Sequence, residues 1–144
     1  MIRLSALLAT LVGISIASPA LAQLELDDAY IRGLPPGVAN TAAYMTIINN
    51  GDEPVELTHG SSPIAASVML HSTMEHGGML HMAHVDSVVI NANSKLQLES
   101  GGMHLMLMEL NEHPQPGDEV ELTLHFADGS AETFSVPVRS VLDE

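Results

Sequence analysis

The chain contains no cysteine and no tryptophan, and aromatic residues make up only 3% of its 144 positions. Without cysteine there is no disulfide scaffold, thiolate zinc site, iron–sulfur cluster or cysteine nucleophile. A blue-copper electron-transfer site is excluded for the same reason, since it needs a thiolate. The scarcity of aromatics removes stacking platforms for bases. Positive charge is scarce too. Four Lys and Arg stand against 18 Asp and Glu, a formal charge of −14. Such a surface repels phosphate, so nucleic acid is excluded as a partner. What is present is apolar material, 46% of the residues, enough for a core in one domain of this length.

The first 22 residues read as an export signal. Arg3 supplies a positive start, Leu4 to Ile16 is apolar and uncharged, and Pro19 precedes the small-residue site Ala20-Leu21-Ala22. The apolar run is shorter than the roughly 20 residues a membrane span requires. The expected organisation is therefore a signal over 1–22 and one domain over 23–144, beginning at Gln23 and acting outside the cytoplasm. No other apolar run predicts a membrane span. No cysteine follows the signal, so no lipid anchor is expected. Removing Arg3 leaves Arg32, Lys95 and Arg139 as the basic residues and a net charge of about −15.

Beyond the signal, turn residues recur at short intervals, as in Pro35-Pro36-Gly37, Asn49-Asn50-Gly51-Asp52, Gly77-Gly78, Gly101-Gly102 and Asp128-Gly129. Between them lie short runs rich in Val, Ile, Leu, Thr and Met. Glu119 to Phe126 alternates polar and apolar, turns at Asp128-Gly129 and returns as Glu132 to Val136, a hairpin pattern. Lys95 to Glu99 alternates as well. No stretch keeps a helical period for three turns. The pattern predicts an all-β fold, an antiparallel sandwich or barrel of about seven to nine strands.

Chemistry concentrates in one region. Between Met69 and Met108 lie seven of the nine methionines and five of the eight histidines. One methionine alone is ordinarily a flexible core filler, and one strand histidine is ordinarily a surface group. Clustered, thioether and imidazole form a soft-to-borderline donor set that suits Cu(I) better than zinc, magnesium or calcium. Side-chain alternation puts His104, Met106 and Met108 on one face of their strand, and Met103, Leu105 and Leu107 on the other. The apolar set is assigned to the core, which leaves His104 and Met106 facing outward. Glu75-His76-Gly77-Gly78 is read as a four-residue hairpin loop, a register that opposes His71 to Met82, Ser72 to His81 and Thr73 to Leu80. Met74, His76 and Met79 flank this loop, either guiding metal in or serving as plain loop residues. His81 falls on the opposite face from Met82, and His84 lies nearby. Met108 is assigned to shielding the metal or packing on the barrel. His59, His113 and His125 are read as surface groups.

His71, ten residues, Met82, twenty-one residues, then His104-Leu105-Met106 resembles the signature of the periplasmic copper chaperones called PCuAC. Ala43-Tyr44-Met45-Thr46-Ile47, Leu70-His71-Ser72-Thr73-Met74 and Gly101 to Met108 are similar to that family as well. The resemblance runs from about Glu25 to Val138. It implies a cupredoxin-like antiparallel β-barrel holding one Cu(I) per chain through His71, Met82, His104 and Met106. It further implies carriage of copper in the periplasm toward the copper centre of cytochrome c oxidase. Some family members end in a His- and Met-rich tail for a second copper. Here the sequence closes on Val138-Arg139-Ser140-Val141-Leu142-Asp143-Glu144, without that pattern.

No phosphate loop, strand–turn–helix nucleophile or helical HExxH spacing points to an enzyme. A copper buffer or resistance protein is the nearest rival reading. A copper redox enzyme and a structural β-sandwich module are more distant ones. Neutral thioethers hold Cu(I) less strongly than anionic thiolates do. The expected partner is therefore a copper acceptor bearing thiols, either the oxidase copper domain or another copper chaperone.

Overall fold

A computed structural model describes residues 24–143. The proposed signal over 1–22 lies outside the described residues. Ten strands follow in order: β1 Leu24–Gly33, β2 Thr41–Asn49, β3 Val55–Ser61, β4 Ala65–His76, β5 Met79–His84, β6 Val88–Ile90, β7 Ser94–Leu98, β8 Met103–Leu110, β9 Glu119–Phe126 and β10 Ala131–Ser140. One 3₁₀ turn, Val141–Asp143, follows the last strand. Among the described residues no helix is long and apolar enough to cross a membrane.

Seven strands close a barrel in the order β4, β8, β2, β1, β10, β9, β3. Closure comes from two unlike contacts. β1 and β10 pair in parallel, with Ile31 beside Val138 and Gly33 beside Ser140. β3 meets β4 at Gly60 opposite Val68. A Cβ on Gly60 would lie 2.9 Å from the Val68 side chain, so this seam closes only because the position carries no side chain. The remaining strands are additions to the ring. β5 extends from the free part of β4, β6 lies beside β3, and β7 continues along the edge of β2 that β8 also uses.

The interior follows the alternation seen in the sequence. Ile31, Ile47, Leu57, Leu70, Leu105, Leu107, Leu122, Leu124 and Val136 are fully buried in one continuous cluster. The predicted β9–β10 hairpin is present, with Glu132 opposite Leu124 and Val136 opposite Val120. In β8, Leu105 and Leu107 point inward as expected, and Met103 packs against the same core. The other face of β8 is therefore turned outward from the barrel.

One predicted register is corrected. The β4–β5 turn contains two residues, not four. His76 opposes Met79, and Gly77 and Gly78 alone connect the strands, at φ values of 61° and 79°. Two successive left-handed residues make the tight hairpin turn whose twist matches the strands, and glycine adopts them without strain. His71 consequently opposes His84, and Thr73 opposes Met82. This is a slip of two positions from the expected pairing. Because the side-chain period is also two, every residue stays on its expected face.

Candidate metal centre

Strands β5, β4 and β8 lie side by side, and their shared outward face collects imidazoles and thioethers. His84, His71 and His104 form one row across the three strands. The next row along β4 and β8 places Met69 opposite Met106. Met82 sits one row the other way, opposite Thr73, and so diagonal to His71. Opposed side chains have Cβ atoms about 4.5–5.5 Å apart and diagonal ones about 7–8 Å, within reach of long thioethers. His71 is the hub. Its ring centroid is 6.1 Å from that of His104 and 6.0 Å from that of His84, with edge-on geometry in both cases.

His104 is held differently from the others. It is 2% exposed, although it lies outside the apolar core cluster. Tyr44 covers it, the ring centroids being 6.2 Å apart. Tyr44 in turn meets the tilted ring of Tyr30, with centroids 5.4 Å apart, and the Arg32 guanidinium lies over its ring at 5.1 Å. His104 faces outward from the core as expected, and it is closed to solvent there because this layer roofs the strand. The His104 Nδ1 lies 3.1 Å from the carbonyl oxygen of Gly102. A carbonyl can only accept, so Nδ1 carries the hydrogen and donates it. That assignment leaves the lone pair on Nε2. This atom is closed to solvent and has no hydrogen-bond partner in the protein. Buried polar atoms are nearly always paired. A backbone carbonyl that fixes one ring nitrogen while the other is left bare is the arrangement found around metal-binding histidines.

The neighbours suit a soft ion. The His71 pKa is lowered from its ordinary value, first by burial and then by the His104 and His84 imidazoles nearby. Its unprotonated form, the one able to coordinate, is thereby favoured near neutral pH. Among the described residues no three His, Asp or Glu side chains gather where they could hold a metal ion. The other donors on this face are methionine sulfurs. Met106 is half-buried, while Met82 is 62% exposed at the hairpin edge.

Residues 24–138 match the model of a protein family described as "Putative lipoprotein LpqE-like". The chain belongs to this LpqE-like, PCuAC-type family. A curated relative, the "Putative lipoprotein Lxx21020" of Leifsonia xyli subsp. xyli, is 32% identical over 144 residues, covering 94% of this chain and 86% of the relative. The solution structure of CuI-DR1885 from Deinococcus radiodurans is 32% identical, with a TM-score of 0.64, over 88% of this chain and 83% of that one. The copper-bound PCuAC domain from PmoF2 is 21% identical, with a TM-score of 0.69, over 85% of this chain and 97% of that domain. At that identity the last likeness shows the fold alone. The expected cupredoxin-like all-β barrel is thus the fold of this LpqE-like chain. Although the family description speaks of a lipoprotein, the 144 residues include no cysteine thiol to carry a lipid.

All four residues singled out from the sequence, His71, Met82, His104 and Met106, lie on the one outward face. Two more donors share it that the sequence reading did not weigh as ligands. Met69 opposes Met106, and His84 opposes His71. The Gly77-Gly78 pair was the signal that would have found His84, since a two-residue turn sets that pairing. His84 is also within 3.3 Å of the Asp86 carboxylate through Nε2. Met108, opposite Ser67, continues the face beyond Met106 and is half-buried. Met74, His76, Met79 and His81 fall on the reverse face of the β4–β5 hairpin, as strand residues and not in its loop. His59 on β3 and His125 on β9 lie on the two strands that follow β4 around the barrel, and His59 lines one surface cavity together with Met69 and His84. The His59 and His125 rings stack in parallel with centroids 4.5 Å apart, a contact between two surface histidines that lie far apart in sequence.

Proposed function

We propose that the protein is a Cu(I) metallochaperone of the periplasm, exported by its N-terminal signal, carrying one tightly bound Cu(I) on His71, Met82, His104 and Met106. The observation that carries the reading is the bare, buried Nε2 of His104, fixed as a lone-pair donor by the Gly102 carbonyl. Imidazoles would supply borderline nitrogen and thioethers soft sulfur, a set matched to Cu(I) and poorly matched to hard cations. The Cu(I)-bound structure of DR1885, 32% identical to this chain, supports the same cargo. All four donors are uncharged when they coordinate, so copper is held without anionic attraction. An acceptor offering thiolates would draw it away, which favours delivery over storage. The copper centre of cytochrome c oxidase is the proposed destination. A chain this acidic would dock on a basic acceptor surface.

The test is transfer. Cu(I)-loaded protein is mixed without oxygen with an excess of the reduced, dithiol-bearing oxidase copper domain, and the metal is followed spectroscopically. Nearly complete transfer is expected, with association slowing as salt screens the charges. Retention of most Cu(I) on this protein would make it a copper buffer.

A further inference from the structure

The reverse face of the β4–β5 hairpin carries a donor set of its own. The two-residue turn places Met74 directly opposite His81 and His76 directly opposite Met79. Alternation puts these four side chains together on the face away from His71 and Met82. The two pairs are successive rows on that face. Opposed Cβ atoms lie about 4.5–5.5 Å apart, and rows two residues apart along a strand are separated by about 6.7 Å. Two thioethers and two imidazoles therefore stand at the corners of a small rectangle that long, flexible side chains can close over one ion. Glu75 and Leu80 pair on the other face, so no carboxylate from this hairpin intrudes.

Core filling does not account for these methionines. Met74 is 48% and Met79 is 64% exposed, and neither belongs to the buried cluster or packs against it. His76 and His81 are exposed too. Two thioethers held in water, each directly across from an imidazole, serve neither packing nor solubility.

We propose that Met74, His76, Met79 and His81 form a second, more exposed Cu(I) site at the end of the hairpin. It shares no residue with the site proposed above and does not depend on it. All four donors are neutral and soft or borderline, which selects Cu(I) over Zn(II). Binding here is weaker than at the first site. Four mobile surface side chains must be ordered, and none is pre-oriented as His104 is, so an affinity at least about tenfold lower is expected. Such a site would exchange copper readily at the surface, separated from the first only by the thickness of one hairpin.

The experiment is an oxygen-free Cu(I) titration of the full chain against a chromophoric Cu(I) chelator. Methionine methyl resonances are recorded in parallel by NMR. The unaltered protein should take up two equivalents, the methyls of Met74 and Met79 shifting with the second. The exposed double variant M74L/M79L should keep the first equivalent and lose the second. A companion variant, H76N/H81N, should do the same and replaces the first variant if that one fails to fold. H104L should lose the tight equivalent while retaining the weak one, which separates failure of the first site from failure of the second. Saturation of the unaltered protein at one equivalent, or uptake of two by either hairpin variant, would overturn the proposal.

Discussion

Replacing His104 with leucine should make the metal-free protein more stable while removing its tight Cu(I) binding. The Nε2 of His104 is buried without a partner. A buried polar atom left unpaired costs about 1–3 kcal/mol relative to one that is satisfied or absent. Leucine is close in volume and brings no polar atom, so the substitution removes that cost and opens no large cavity. The loss on the other side is the Nδ1–H donated to Gly102, a bond that contributes about 0.5–1.5 kcal/mol net. Its acceptor is not orphaned, because the Gly102 carbonyl also receives the Thr73 backbone N–H at 3.1 Å. The balance favours the variant by about 1 kcal/mol, a rise in Tm of about 3–5 °C for a domain of this size. Thermal melts of both proteins should be recorded with chelator and then with Cu(I) buffered at 100 times the dissociation constant of the unaltered protein. There the tight site should contribute about 2.7 kcal/mol to the unaltered protein, a contribution the variant lacks, leaving it at most the smaller gain from the weak hairpin site. A variant that melts lower without metal, or gains as much from Cu(I) as the original, would refute the idea that His104 is kept at a cost to stability for the sake of a ligand.

Leu105→Ala should have the opposite profile. It empties a fully buried position beside Leu70 and Ala43, so denaturation should show a loss of about 2–5 kcal/mol, with Cu(I) stoichiometry unchanged in whatever fraction stays folded. The metal-free protein should also weaken in mild acid. His71 and His125 both have pKa values lowered from 6.5, each by burial first and then by neighbouring imidazoles. Their folded forms resist protonation more than the unfolded chain does. Stability is thus full above about pH 6.5 and falls as the pH drops from there through the folded pKa values. Denaturant midpoints across this range check the direction, and a stability that rose on acidification would contradict it.

The fold was legible because strand alternation and turn residues are local signals. The sequence from Glu119 to Val136 contains its hairpin in plain view, and the inward set Leu105 and Leu107 is fixed by parity alone. The grouping of His71, Met82, His104 and Met106 on one face was legible for the same reason. A slip of two residues in the β4–β5 pairing altered which donors stand opposite each other and left the face intact, so His71 and Met82 remained on it. Legibility failed where contacts are distant. Nothing in the sequence around Tyr44 shows that it will roof His104, since that depends on β2 lying next to β8. The stacking of His59 on His125 depends in turn on β3 meeting β9 across an irregular register. The parallel pairing of β1 with β10 had no local signature at all.

That parallel pairing also bears on the order in which the molecule assembles. The first and last strands of the barrel are neighbours, so the ring cannot close until β10 is available. Chains built from such distant pairings fold slowly, because the entropy of closing long loops must be met before the contacts form. The strands that carry the proposed ligands, β4, β5 and β8, lie within the middle of the chain and can join before closure. A nascent chain lacking β10 would present the open edges of β1 and β9 to any neighbouring strand. Holding the chain unfolded until its last strand has emerged therefore protects it from edge-to-edge aggregation, and a nascent chain stalled before Ala131 is the form most exposed to it.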